Sequence, residues 1–249
     1  MMDRTGKTIG QLGPPGDYRG IDMSPDGTRV AVHVHAESGG DIWGLDSIRG
    51  TNSRFTFDSS RHYAKPIWSA DGTRLVYAAT AGKSAILERP SGGGGDERTL
   101  VEEGGSNQGP THVSQDGRFV LYTLEGKARD VWALPLFGDR KPVAVLASNF
   151  NEDGAVLSHD GRWVAYQSNE SGRFEVYVQS FPPSGGTWQI STGGGDQPRW
   201  RADDKEMYYL DPGRKLMAVE VRGDASQFSA DLQVRPTPQG PRVPPRKKA

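Results

Sequence analysis

Short apolar runs, each two to four residues long and bounded by Gly, Pro, Asp or Ser, follow one another along the whole chain. Runs of that length bounded by turn residues predict β-strands rather than helices. The pattern repeats. The signature Ser-x-Asp-Gly, followed by an apolar run, begins at Ser24, Ser69, Ser114 and Ser158, and a degenerate copy, Arg201-Ala202-Asp203-Asp204, begins at Arg201. Successive copies lie 43 to 45 residues apart.

With the copies in register, four strand-like columns emerge per repeat. The first ends on Met23, Trp68, Val113, Leu157 or Trp200. The second holds Val30-Ala31-Val32, Leu75-Val76-Tyr77, Phe119-Val120-Leu121-Tyr122, Trp163-Val164-Ala165-Tyr166 and Met207-Tyr208-Tyr209-Leu210, apolar on both faces as for a strand packed from two sides. The third holds Asp41-Ile42-Trp43, Ala85-Ile86-Leu87, Asp130-Val131-Trp132, Glu175-Val176-Tyr177 and Lys215-Leu216-Met217. A weaker fourth runs through Arg54–Phe57, Arg98–Val101, Pro142–Val145, Trp188–Ser191 and Gln227–Ser229. Four short antiparallel strands repeating every 40–45 residues are the mark of a propeller blade, so the expected fold is all-β, a β-propeller of about five complete four-stranded blades plus a partial sixth.

The expected blades lie near 18–57, 64–101, 109–146, 154–191 and 196–229, within a propeller spanning 1–230. Residues 1–12 read as the outer strands of the partial blade. Residues 231–249 read as a disordered tail rich in Pro and basic residues. In each signature the Asp carboxylate can accept backbone N–H groups while Gly takes a positive φ without steric cost, which makes Asp26, Gly27, Asp71, Gly72, Asp116, Gly117, Asp160 and Gly161 turn residues rather than chemical ones.

The phrases Pro66-Ile67-Trp68-Ser69-Ala70-Asp71-Gly72 and Ser24-Pro25-Asp26-Gly27-Thr28-Arg29-Val30-Ala31-Val32 resemble the WD-like repeats of TolB-type six-bladed propellers, and the resemblance covers about residues 18–230. Longer phrases, among them Asn149-Phe150-Asn151-Glu152-Asp153-Gly154, Ser171-Gly172-Arg173-Phe174-Glu175-Val176-Tyr177-Val178 and Gln197-Pro198-Arg199-Trp200, resemble the propellers of bacterial receptor-type serine/threonine kinases. The resemblance implies a non-catalytic sensor or interaction part. Similar propellers cap prolyl-oligopeptidase-like serine peptidases, which supplies a rival expectation of an enzyme accessory; a degenerate gene fragment is a third.

Composition narrows the partners. The 249 residues carry a formal charge of −1 and no cysteine, which argues against a nucleic-acid footprint and removes any disulfide framework. No apolar run approaches a membrane span, and the first residues lack a secretory signal, so the chain as written is expected in the cytoplasm, or outside it if it belongs to a larger receptor. The expected partner is a protein, a peptide or a small ligand, with no nucleic acid, membrane insertion or cofactor.

No catalytic motif stands in a workable context, and no catalytic residue is expected. The repeated aromatics at Trp68 and Trp200, Trp43 and Trp132, and Tyr77, Tyr122, Tyr166 and Tyr209 are expected to pack between blades, with Trp188 the least constrained. His33 and His35 would share one face of a strand, a spacing that suits a metal, but no third ligand is evident beside them and no metal is expected. His159 reads as solvated. The remaining candidate is the mouth of the central channel, where loops entering each first strand would bring Tyr18, Arg19, His62, Tyr63, Lys65, Gln108, His112, Glu152, Asp153, Asp196, Gln197 and Arg199.

Overall fold

The computed structural model describes residues 7, 9–36, 39–103, 107–223 and 228–236, and these contain strands, turns and bends but no helix. Twenty strands form five four-stranded antiparallel sheets. The first sheet is β1 (Tyr18–Met23), β2 (Arg29–Ala36), β3 (Gly39–Asp46) and β4 (Asn52–Arg54). The second is β5 (His62–Trp68), β6 (Arg74–Ala81), β7 (Lys83–Pro90) and β8 (Arg98–Glu103); the third is β9 (Gln108–Val113), β10 (Phe119–Glu125), β11 (Arg129–Pro135) and β12 (Val143–Leu146). The fourth comprises β13 (Glu152–Leu157), β14 (Trp163–Ser168), β15 (Glu175–Ser180) and β16 (Thr187–Gln189), and the fifth β17 (Asp196–Trp200), β18 (Glu206–Leu210), β19 (Leu216–Gly223) and β20 (Phe228–Pro236). Every sheet is an uncrossed meander. Backbone contacts divide the chain into two compact units, Leu12–Ala155 and a second that begins at Val156 and includes the described residues before Leu12.

The signature turn is built the same way four times. Ser24 Oγ donates to Asp26 Oδ1 at 2.6 Å and accepts from Arg29 N at 2.9 Å, while Asp26 Oδ1 accepts from Thr28 N at 3.0 Å. Gly27 takes φ +69° and donates its N–H to Ser24 O at 2.8 Å. Ser69, Ser114 and Ser158 repeat the bond to Asp71, Asp116 and Asp160 at 2.6, 2.6 and 2.7 Å. In the fifth copy the Arg201 guanidinium replaces the hydroxyl, its Nε donating to Asp203 Oδ1 at 2.6 Å, and Asp204 stands in the glycine position at φ +56°. A donor to the aspartate and a residue able to enter the left-handed region suffice to preserve the bend.

Both faces of the second strands β2, β6, β10 and β14 are buried along their middles, whereas β18 buries only the face of Met207 and Tyr209. In the first unit Leu75, Tyr77 and Ala79 pack with Ala31, Ile42, Phe55, Tyr63 and Trp68, whereas Val76, from the opposite face of the same strand, packs with Val113, Val120, Tyr122 and Leu134. In the second unit Val156, Trp163, Ala165, Val176, Met207, Tyr209, Val219 and Phe228 form the core. Each large side chain buried this way contributes about 1.5–3 kcal/mol relative to exposure. The indole N–H of Trp68 donates to Asp22 O at 3.3 Å, and that of Trp200 does the same to Val156 O at 3.2 Å, so in both units this tryptophan ties a first strand to the first strand of the preceding sheet.

Three boundaries differ from expectation. β4 ends at Arg54, which leaves Phe55 buried in the core and Phe57 64% exposed beyond the strand. Of the segment expected as outer strands over 1–12, the described residues 7 and 9–12 carry no strand, and 1–6 and 8 lie outside the described residues. The stretch expected as a tail from residue 231 opens as strand, since β20 pairs with β19 as far as Met217↔Pro236. An outermost strand needs ladder bonds on one side only and tolerates Pro and a thin apolar pattern, which is why it was not visible. Residues 237–249, the rest of that stretch, lie outside the described residues.

Candidate functional site

A shared kink sets the geometry of the first strands. Three residues before the end of four of the five, the backbone enters the left-handed region: Gly20 at φ +63°, Lys65 at +51°, Gly154 at +65° and Gln197 at +55°. The fifth equivalent is Pro110, whose ring forbids a positive φ, and there the register slips between Pro110 and His112 instead. Ladder pairing also shifts between Arg19 and Ile21, between Ala64 and Ile67, and between Asp196 and Arg199. These are β-bulges, which break the alternation of the pleat and re-aim the side chains around them. Lys65 and Gln197 adopt a conformation that costs a residue with a Cβ on the order of 1 kcal/mol, the kind of local strain that accumulates where a chain presents a side chain for use.

Several of the twelve expected site residues are presented at such kinks, and others are committed to the scaffold. In the first unit Arg19 is exposed and pairs with Asp17 at 2.8 Å, and the Tyr18 hydroxyl donates to Pro14 O at 2.6 Å. Lys65 is exposed, its Cδ lying 2.4 Å from where a Cβ on Gly109 would stand, so its stem rests over a glycine. His112 is half-buried on β9. Tyr63, by contrast, is 3% exposed, with its ring 5.8 Å from that of Tyr77, because on β5 it points to the core face. Gln108 is buried as well: its Nε2 donates to Ser84 O at 2.7 Å and its N–H to Ser84 Oγ at 3.1 Å, a tie from β9 to β7. Glu152 is buried and accepts from Ser148 Oγ at 2.5 Å. Asp153 accepts from Thr123 Oγ1 at 2.7 Å and lies 3.4 Å from Arg129 Nη1. Tyr63, Gln108 and Glu152 are therefore buried within the fold, whereas Arg19 and Lys65 are exposed.

In the second unit Asp196 faces Arg214 at 3.3 Å, and burial, partly offset by that arginine, raises its carboxyl above the usual range. Gln197 is exposed and donates its backbone N–H to Gln167 Oε1 at 3.0 Å; Arg199 is exposed and donates to Pro198 O at 2.8 Å. His159 is exposed, as expected, and its N–H and its Nδ1 each lie 2.9 Å from Asp204 Oδ1. Trp188 is not loose, since its ring stands 5.5 Å from both Trp163 and Phe228.

The histidine pair gains a third member. His33 and His35 project from one face of β2, and His62, at the start of β5, closes against them, with ring centroids 5.7, 5.1 and 6.0 Å apart, each pair edge to face. One nitrogen from each ring falls within 4.8 Å of the other two. His33 is 5% exposed, and among the described residues neither His33 Nε2 nor His35 Nδ1 has a hydrogen-bond partner. The room comes from Gly40, whose absent Cβ would stand 1.9 Å from His33 Nε2. Burial first, then the neighbouring His62 and His35 charges, push the His33 pKa down to about 4, so its imidazole is neutral at neutral pH. His62 is shifted in the same direction, again chiefly by burial. This third imidazole is not evident from the chain because His62 is distant in sequence and comes from the adjacent sheet.

No protein-family model matches the chain. Among curated proteins, it is similar to phosphoglycerate kinases from strains of Prochlorococcus marinus, 33% identical over 113 residues. That match covers 45% of this chain, which spans a quarter of the length of those relatives. Among solved structures, TolB from Acinetobacter baumannii superposes with a TM-score of 0.70 at 17% identity, over 90% of this chain and 53% of that one. A TolB homologue from Agrobacterium tumefaciens gives the same score and identity over 91% of this chain and 84% of that one. A prolyl oligopeptidase from Galerina marginata gives 0.61 at 12% identity, with the match covering 34% of the peptidase. Five four-stranded antiparallel meanders with these neighbours give the chain an all-β, TolB-like β-propeller fold.

Proposed function

We propose that the chain is a non-catalytic binding module, the sensor or interaction part of a larger bacterial receptor-type serine/threonine kinase or a TolB-like protein, and that it takes a protein or peptide partner through the side chains around its first-strand bulges. The single observation that carries this reading is the contrast between columns. The turn column repeats Ser, Asp and Gly, whereas the bulge column holds Gly20, Lys65, Pro110, Gly154 and Gln197 in equivalent places. A backbone geometry kept while its residue type changes suits recognition. Arg19, Lys65 and His112 are the groups assigned to contact in the first unit; Gln197 and Arg199 are assigned separately in the second.

The likeness to prolyl oligopeptidases supports a second reading, in which the module accompanies a peptidase domain; the partner contacted is then that domain or its peptide substrate. Photo-crosslinking tests both. A photoreactive residue replacing Arg19 or Gln197 is expected to give a discrete adduct in an extract of the source cells, and one replacing the exposed Lys141 is expected to give none. A hydrolase in the adduct selects the second reading. Identical adduct patterns from all three positions overturn both.

A further inference from the structure

We infer that His33, His35 and His62 form a binding site for one divalent transition-metal ion of the Zn²⁺ type, with a coordination position left for solvent or for a group on a partner. Three features carry this. The first is ligand number and placement: three imidazoles from β2 and from β5 of the next sheet, one nitrogen each, gather within 4.8 Å. Tetrahedral Zn²⁺ with Zn–N bonds of about 2.0–2.1 Å needs ligand nitrogens about 3.3 Å apart, so rotations of the imidazoles that move each nitrogen by about 1 Å complete the set.

The second is unmet hydrogen bonding. Buried polar atoms nearly always have a partner, and those that lack one point to strain or to an ion. Here two such atoms, His33 Nε2 and His35 Nδ1, belong to the same cluster and have no partner among the described residues. The third is space made for them. Gly40 pairs with His35 across the β2–β3 ladder, and any side chain there would collide with His33 Nε2.

Among the charged groups that act on His33 and His62 are Asp17, Arg19 and Asp41. Asp17 is paired with Arg19, and Asp41 with Arg54 at 2.7 Å, so neither carboxylate competes as a free anion. Three imidazoles with no carboxylate select a borderline ion such as Zn²⁺, Ni²⁺ or Cu²⁺ over Ca²⁺ or Mg²⁺, which require oxygen ligands. Three protein ligands also leave tetrahedral zinc one position short, which is the arrangement of sites that take up an exchangeable ligand.

Titration of the whole chain, carrying no polyhistidine tag, with ZnCl₂ in a calorimeter tests the site. One equivalent is expected to bind saturably, with MgCl₂ giving no heat, and Co²⁺ is expected to produce the visible absorption of a four-coordinate ion. His33 lies in the core and its replacement could unfold the sheet, so the decisive variants are the half-buried His35→Ala and His62→Ala, each expected to weaken Zn²⁺ at least tenfold with an unchanged circular dichroism spectrum. His159→Ala is the control and is expected to bind as the parent does. Absence of saturable Zn²⁺ binding, or equal affinity in the His35 and His62 variants, overturns the inference.

Discussion

Asp204 grips the turn that carries His159. Its Oδ1 lies 2.9 Å from both the backbone nitrogen and Nδ1 of His159, and its Oδ2 accepts from Asp160 N at 3.0 Å. The residue that breaks the Ser-x-Asp-Gly pattern therefore clamps the preceding copy of it. Judged by the other four turns, glycine belongs at 204, and Asp204→Gly would relieve a left-handed conformation worth on the order of 1 kcal/mol. It would also delete three exposed hydrogen bonds, worth about 0.5–1 kcal/mol each. The clamp outweighs the strain, so Asp204→Gly is expected to lower stability by about 1–2 kcal/mol in urea unfolding. A gain in stability would show that the clamp is idle.

The turns should differ in what their first residue is worth. Ser158 is fully buried, and its hydroxyl both donates to Asp160 and accepts from Trp163 N at 3.0 Å. Ser158→Ala leaves a buried N–H and a carboxylate short of a partner and should cost about 1–3 kcal/mol. Arg201→Ala removes exposed, solvent-screened ion pairs to Asp203 and Glu206 and should cost clearly less than Ser158→Ala. Chemical denaturation of the two variants side by side checks the order.

Acid should loosen the outer turns late. The Ser24 hydroxyl and the Thr28 N–H hold the Asp26 pKa down to about 2, and the Arg201 guanidinium does the same for Asp203. A carboxylate whose folded pKa lies below its unfolded value near 3.9 stabilises the fold fully above that unfolded value, and its contribution fades as pH falls through about 2. Stability measured between pH 5 and 1.5 should therefore decline across that window, and Asp26→Asn should flatten part of the decline. An unaltered profile would mean the turn bonds survive in the unfolded chain.

Tyr63 separates packing from recognition. It lies in the core beside Tyr77 and Phe55, so Tyr63→Ala should cost about 3–5 kcal/mol, as truncation of a buried aromatic does. Lys65→Ala, two positions on, should change thermal stability by less than about 1 kcal/mol while weakening the crosslinked partner. Equal stability losses at the two positions would contradict this division of the strand.

What could be read from the chain, and what could not, follows from where the information sits. Ser24, Asp26 and Gly27 act on one another within five residues, so residue type alone announces the bend and its recurrence locates the sheets. The paired faces of Leu75, Val76 and Tyr77 are equally local. The kink at Gly20, Lys65, Gly154 and Gln197 is a property of the backbone, shared by residues that have no chemistry in common, and no column of letters reveals it. His62 escaped for another reason: it joins His33 and His35 only once β5 lies against β2, and the burial of Tyr63 and Gln108 is likewise decided by contacts between sheets. Asp204 read as a blemish in a motif because the group it holds is 45 residues away in sequence.

The glycine at position 40 makes the histidine cluster easy to switch off and hard to acquire by accident. A single methyl there would fall where a buried imidazole already stands, so Gly40→Ala must evict His33 from its seat or push the two strands apart. Any descendant of this chain that drops the ion can thus be recognised by what stands opposite His35, even when all three histidines persist.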